Sequence, residues 1–99
     1  MADPYTRIDA EEVQKNLRER LGHEQVHVKP YGRNLLIQME DPEGLDTVAR
    51  VTRINNSTYG AAFRTHTGRW EPLPDEGSRD EMVEIILNEF GPYLEPSNY

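Results

Sequence analysis

Two amphipathic helical patterns, one near each end of the chain, restrict the fold more than any other feature of the sequence. In the first, "IDAEEVQKNLRERLG", the apolar stripe consists of Ala10, Val13, Leu17 and Leu21. Asp9 is the predicted N-cap of this helix, and Gly22 suits the left-handed position at which such helices end. In the second, "SRDEMVEIILNEFG", Ser78 and Glu81 form a predicted capping box, and Gly91 marks the end. Each helix has one apolar face to bury, so a further layer of structure must cover it.

The region between the two helices has the two-residue alternation that is typical of β-strands. Apolar and polar residues alternate at residues 26–29, and a second predicted strand places Leu35, Ile37 and Met39 on one face. Residues 45–53 fit a strand through their valines and threonines but also fit a helical spacing, and we interpret them as a strand. The predicted fold class is therefore α+β: an N-terminal helix, an antiparallel sheet of three to five strands and a C-terminal helix. Both helices are expected on one face of the sheet, where they bury their stripes together.

A hairpin predicted after residue 63 decides where the tryptophan lies. With a two-residue turn, Thr65 would face Trp70 across the hairpin. Arg64 would then face Glu71 on the other side of the sheet. Phe63 would share a face with Trp70, so we expect Trp70 to pack in the core. An exposed tryptophan that anchors a binding partner is the alternative.

Length and composition indicate a single domain over residues 1–99, with residues 1–7 and 95–99 free to fray. Leu, Ile, Val and Phe together number 21 of the 99 residues, so the core is modest. The chain has no cysteine, which excludes a disulfide framework and agrees with a cytoplasmic location. No stretch approaches the ~18 consecutive apolar residues of a membrane helix, and no signal peptide is visible. We therefore expect no association with membranes.

Charge is unevenly distributed along the chain. The sequence has 18 acidic and 11 basic residues, and its net charge is −7. Residues 1–70 contain ten of each sign, whereas residues 71–99 contain eight acids and one base, Arg79. Residues 47–70 contain four arginines and no acid. The simplest explanation of this charge distribution is solubility. The more specific interpretation is a basic sheet surface opposite an acidic helix.

The stretch "GHEQVH" resembles the H-E-x-x-H pentapeptide of zinc metalloproteases. That motif requires a helix, in which His23 and His27 reach one ion while Glu24 activates its water. In a strand the same separation spans ~13 Å, which is too far for two ligands of one zinc ion. Because Gly22 should end the helix, we predict no metal site and no cofactor. His23 and His27 remain the minority candidates for zinc ligands.

The candidate binding residues are polar and aromatic side chains of the predicted sheet: Arg50, Arg53, Arg64, His66, Arg69 and Trp70. Arginines beside an aromatic ring suit single-stranded nucleic acid, which binds through charge and stacking. His66 could contribute to phosphate binding or to acid–base chemistry. No nucleophile or second titratable pair is placed near it, so we assign no catalytic residue. A pI near 4.9 disfavours nucleic acid without excluding it.

The order of helix, antiparallel strands and helix is similar to that of the double-stranded RNA-binding domain. The resemblance implies phosphate contacts at the start of the second helix, where that family carries lysines. Here the corresponding stretch, "SRDEMVEIILNEFG", is dominated by carboxylates. The resemblance is thus confined to the order of the elements.

These features together predict a protein that is not an enzyme. We expect a small acidic module that binds another macromolecule, as a regulator, adaptor or inhibitor acting through protein–protein contacts. A basic protein surface would complement the acidic helix, and an unpaired sheet edge also offers a route to a homodimer. The alternatives are nucleic-acid binding across the basic sheet surface and a zinc-dependent hydrolase through residues 23–27.

Overall fold

The computed structural model describes residues 4–95, with side chains from residue 6 onward. In chain order the elements are helix α1 (Pro4–Leu21), strands β1 (Val26–Tyr31), β2 (Asn34–Asp41), β3 (Gly44–Arg53), β4 (Tyr59–Arg64) and β5 (Trp70–Gly77), helix α2 (Arg79–Phe90) and a 3₁₀ turn (Gly91–Leu94). The α+β architecture is confirmed, with five strands. The ambiguous residues 45–53 belong to a strand. Of the ends predicted to fray, residues 1–3 and 96–99 lie outside the described residues, and residues 4–7 belong to α1.

The five strands form one antiparallel sheet in the order β1-β2-β3-β4-β5. Apolar side chains of both helices and alternate residues of the strands form a single buried cluster, which includes Val13, Leu17, Leu35, Ile37, Val51, Val83 and Ile86. Because one set of strand residues contacts both helices, the prediction that the helices share one face is confirmed. Within residues 4–95, no helix covers the opposite face, which we call the open sheet face.

Helix α1 begins at Pro4, so the predicted N-cap at Asp9 is wrong. Proline suits the first turn of a helix, where its missing N–H would have had no partner. The Asp9 carboxylate instead accepts hydrogen bonds from the Tyr59 hydroxyl at 2.8 Å and from Arg79 Nη1 at 2.8 Å. This one side chain connects α1 to β4 and to the first residue of α2.

The remaining helix ends follow the sequence closely. Gly22 ends α1 with a φ of +76°, in the left-handed region that favours glycine. Ser78 and Glu81 form the predicted capping box at the start of α2. Helix α2 ends at Phe90, but Gly91 keeps a right-handed conformation, and the chain continues into the 3₁₀ turn.

The β4–β5 hairpin closes with a longer loop than the sequence analysis predicts. Thr65 N–H donates to the Arg69 carbonyl at 2.8 Å, and Gly68 N–H donates to the Thr65 carbonyl at 2.9 Å. The loop therefore contains residues 66–68, and Gly68 has a φ of +84°. A type I turn followed by a left-handed residue has this arrangement.

The longer loop moves Trp70 from the predicted core to the open sheet face. Trp70 lies opposite Arg64, and Phe63 lies opposite Glu71. A slip of one residue exchanges the two faces of a strand, because successive side chains alternate. Phe63 stays on the helix side, where its ring stacks on Phe90 with centroids 4.2 Å apart. The prediction that Trp70 packs beside Phe63 is therefore wrong.

Candidate functional site

The open sheet face combines cations, aromatic rings and small side chains. Alternation and cross-strand register assign to it Lys29, Tyr31, Leu36, Arg50, Gly60, Ala62, Arg64, Trp70 and Pro72. Every strand of the sheet contributes at least one of these side chains. Lys29, Leu36 and Arg50 follow one another across the first three strands as direct neighbours. By the same alternation, Glu40 and Glu76 also lie on this face, so it presents three lysine or arginine cations and two carboxylates beside apolar surface.

Arg50 and Trp70 contact each other on this face, although strand β4 separates their strands. The guanidinium carbon of Arg50 lies 4.6 Å from the centroid of the Trp70 ring, within the range of a cation–π interaction. Ala62, on the intervening strand, is only 4% exposed yet lies outside the apolar core, since Arg50 and Trp70 close over it. Arg50 Nε is buried without a hydrogen-bond partner.

Small residues leave a shallow depression beside the Arg50–Trp70 pair. Its volume is about 180 Å³, and its lining includes Gly60, Ala62 and Pro72. Ile54, which also lines it, is 43% exposed. Because glycine and alanine project so little, a bound chain can approach the sheet closely at this point.

The structure brings together only part of the predicted binding set. The residues that share the open sheet face are Arg50, Arg64 and Trp70. Arg53 pairs with Tyr59, whose side chain belongs to the core, so Arg53 lies on the helix side of the sheet. His66 is exposed in the hairpin loop, and Arg69 is exposed directly after it, opposite Thr65. The signal in the sequence that allows the observed register is Gly68, which suits the third position of a three-residue loop as well as a two-residue turn.

The histidines of the "GHEQVH" stretch lie in different elements, because α1 ends at Leu21. His23 is in the loop, and His27 is in β1. His23 Nε2 donates to the Leu94 carbonyl at 2.6 Å, and its Nδ1 accepts from Gln25 N–H at 3.0 Å. Nε2 of His23 thus connects the loop to the C-terminal part of the fold, and Nδ1 stabilises the loop itself. The helical geometry that the protease motif requires is missing.

The ring of His27 lies between a basic and an acidic side chain. Its Nδ1 lies 3.2 Å from Arg18 Nη2, and its Nε2 lies 3.2 Å from Glu40 Oε2. Among the described side chains, no group of three or more histidines and carboxylates is arranged to hold a metal ion. His23 and His27 are therefore not brought together as a zinc pair.

The carboxylates of α2 are largely engaged within the molecule. Glu81 accepts the backbone N–H of the N-cap residue at 3.2 Å. Glu84 pairs with Arg20 of α1, and these hydrogen bonds lower the pKa of Glu84 and raise the pKa of Arg20. Asp80 Oδ1 lies 3.4 Å from Arg79 Nε. The acidic helix therefore has structural contacts, and the open sheet face is the stronger candidate for binding.

The outer edges of the sheet are poor templates for a further strand. Gln14 Oε1 accepts the Val28 N–H at 2.9 Å, and Arg18 Nε donates to the Val26 carbonyl at 3.0 Å. These contacts occupy backbone groups on the outer side of β1. At the other edge, β5 has the sequence "WEPLPDEG", whose two prolines lack N–H donors. Natural sheets limit edge-to-edge pairing through covered backbone groups and edge prolines of this kind.

Comparisons with known proteins provide no family for the chain. A scan against protein-family models and searches of curated proteins and of solved structures all found no match. Neither α1 nor α2, the two α-helices within residues 4–95, is long and apolar enough to cross a membrane.

Proposed function

We propose that the chain is a non-enzymatic protein-binding module that docks its partner on the open sheet face. The observation that carries the proposal is the stacking of Arg50 on Trp70 on a face that neither helix covers. Tryptophan and arginine are enriched among the residues that dominate binding energy in protein interfaces. Neither side chain belongs to the apolar core.

A cytoplasmic location is part of the proposal, because a chain without cysteine needs no oxidising compartment.

The charge of the open sheet face indicates the chemistry of the partner. Lys29, Arg50 and Arg64 outnumber the carboxylates Glu40 and Glu76 on this face, and Glu40 is already paired with His27, so the complementary surface carries carboxylates. A basic partner for the acidic helix, which the sequence favours, is the weaker choice, because Glu81 and Glu84 already have internal partners. We therefore place the partner's carboxylates opposite Arg50 and Arg64.

Single-stranded nucleic acid is the second candidate, since a tryptophan next to an arginine also suits base stacking. Tyr31 is the other aromatic residue of the open sheet face, but it lies on β1, at the far side of the sheet from Trp70. Four strand spacings of ~4.8 Å separate β1 from β5 by about 19 Å, too far for rings that stack neighbouring bases. The net charge of −7 adds repulsion. A protein partner is therefore the better supported of the two.

Site-directed photo-cross-linking tests this proposal. A photoreactive amino acid replaces Lys29 on the open sheet face or, as the matched control, the exposed Lys15 on the helix side. In extracts of cells that contain the native protein, we expect a discrete adduct with another protein from position 29 and none from position 15. The adduct should disappear when Trp70→Ala is added.

Nuclease treatment distinguishes the two candidate partners in the same experiment. An adduct with a protein partner should survive it, whereas loss of the adduct would favour nucleic acid and contradict the proposal. Equal adducts from positions 29 and 15 would also contradict it. So would an adduct that contains only a second copy of this chain.

A further inference from the structure

Strands β3 and β4 separate at one end of the sheet, and a cavity opens between them. Strand β3 starts at Gly44, but its pairing with β4 begins only at Ala49, opposite Phe63. The register between β2 and β3 shifts at the same point, which leaves Val48 as the extra residue of a β-bulge. The cavity has a volume of about 480 Å³. That volume lies within the range of about 300–1,000 Å³ that is usual for ligand sites.

The separated part of β3 has an unpaired backbone edge. Glu40 donates its N–H to the Gln25 carbonyl at 3.0 Å, on the side of β2 that faces β1. Leu45 lies opposite Glu40, so its own N–H and carbonyl point away from β2. Thr47 lies two residues further along β3, opposite Gln38, so its backbone N–H and carbonyl also point away from β2. Within residues 4–95, no strand pairs with Leu45 or Thr47 on this side.

Aromatic rings lie across the cavity from this edge. Phe63 and Tyr93 have ring centroids 5.1 Å apart, and both line the cavity together with Val48. Tyr93 is 61% exposed, so its ring still has apolar surface to lose to a ligand. A large apolar side chain that entered from the β3 side would be desolvated against these rings.

Exposed carboxylates accompany the unpaired edge, whereas the cation of Arg64 lies on the opposite wall of the cavity, which β4 forms. Asp46 lines the cavity, and Glu43 lies in the turn before β3. Both residues are exposed, and neither forms an ion pair with another described side chain. A lysine or arginine on a bound chain would complement them.

We propose that the unpaired edge of β3 receives an extended basic peptide segment as an added strand. One large apolar side chain of that segment fills the cavity between Phe63 and Tyr93, and a cationic side chain lies beside Asp46. In strand addition, main-chain hydrogen bonds provide affinity, and pockets for alternate side chains provide specificity. This inference rests on the proposed protein-binding role but uses a surface that has Arg64 in common with the open sheet face and is otherwise distinct, so it can fail while the open sheet face still binds its partner.

A set of short synthetic peptides tests the inference on the full chain. The probe has a central phenylalanine with lysines at alternate positions, and two matched peptides carry glutamates in place of the lysines or methylated backbone nitrogens. Backbone amide NMR should show the lysine peptide shifting the resonances of Leu45 and Thr47 and slowing their hydrogen exchange. The glutamate peptide should bind about tenfold more weakly, because Asp46 and Glu43 repel it. The methylated peptide should not bind, because it cannot form the ladder.

Two variants of the chain and one control extend the test. Leu45→Pro removes a backbone donor that has no internal partner, so the fold should persist while affinity for the lysine peptide falls about tenfold. Asp46→Lys should lower that affinity by a similar factor and favour the glutamate peptide instead. Lys29→Gln, on the open sheet face, should leave the affinity unchanged. Circular dichroism shows whether each variant folds. If Leu45→Pro does not fold, the Asp46→Lys variant and the methylated peptide still test the inference.

Three outcomes would overturn the inference. The first is equal binding of the methylated peptide, because backbone pairing would then contribute nothing. The second is a set of shifted resonances confined to the open sheet face. The third is that the lysine peptide does not bind at all. None of these results would change the expected outcome of the cross-linking test of the open sheet face.

Discussion

Arg50 places its guanidinium over the indole ring of Trp70, 4.6 Å from the ring centroid and across an intervening strand. The contact depends on the loop of residues 66–68, which sets Trp70 opposite Arg64. A loop shorter by one residue would have turned Trp70 toward the helices. The surface proposed for binding therefore depends on the register of one hairpin.

Truncation of Phe63 should destabilise the fold more than truncation of Trp70, although tryptophan is the larger residue. Phe63 is half-buried and stacks on Phe90 on the helix side, so we expect Phe63→Ala to cost about 2 kcal/mol. Trp70 lies outside the apolar core, and Trp70→Ala should cost about 1 kcal/mol. Urea unfolding followed by circular dichroism measures both, since it needs no tryptophan signal. The reverse order would contradict the observed register.

The Arg50–Trp70 contact should appear as a coupling energy in a double-mutant cycle. With Arg50→Gln and Trp70→Leu, we expect a coupling of about 0.5–1 kcal/mol, the usual size for an exposed cation–π pair. The matched cycle replaces Arg33, an exposed arginine in the β1–β2 turn, together with Trp70. That second cycle should give no coupling. Equal couplings in both cycles would show that Arg50 has no specific contact with the ring.

Two glycines should respond oppositely to alanine. Gly68 has a φ of +84°, a conformation that L side chains rarely adopt, so Gly68→Ala should cost about 1 kcal/mol. Gly91 has a right-handed φ of −50°, and an added Cβ there would meet nothing within 4 Å. Gly91→Ala should be neutral or stabilise the fold by about 0.5 kcal/mol. Thermal unfolding of both variants checks the pair, and an unaffected Gly68→Ala would argue against the observed loop.

Stability should fall at alkaline pH partly through Tyr59. Burial, together with the hydrogen bond to Asp9, raises the pKa of Tyr59 in the folded chain. A raised folded pKa means that this contribution is complete below the unfolded tyrosine pKa of about 10 and is lost as the pH rises through the folded value. In urea unfolding at a series of alkaline pH values, Tyr59→Phe should lose stability less steeply than the native chain. Parallel curves would show that the hydroxyl is not protected by folding.

The parts of the fold that local sequence determines were predictable. The stripes of α1 and α2, the capping box at Ser78 and the end of α1 at Gly22 depend on residues only a few positions apart. The alternation of residues 35–39 likewise assigns their faces correctly. The start of α1 was predicted too late, because Asp9 has the chemistry of an N-cap but is used in a tertiary contact.

The candidate site was harder to predict, because it depends on register rather than on composition. Two-residue and three-residue loops at Gly68 both satisfy the local pattern, yet they place Trp70 on opposite faces. The cavity beside β3 depends on a bulge at Val48, for which the sequence has no local signal. The sequence pattern groups the arginines together, and only the structure separates Arg50 and Arg64 from Arg53.

Burial of Trp70 by a partner tests the central claim most directly. Trp70 is the single tryptophan of the chain, so replacing it by fluorotryptophan gives one fluorine resonance that reports on the open sheet face. When the protein captured by cross-linking is added, we predict that this resonance shifts and loses its sensitivity to solvent. A complex that forms while the resonance stays unchanged would contradict the account, because the partner would then bind elsewhere.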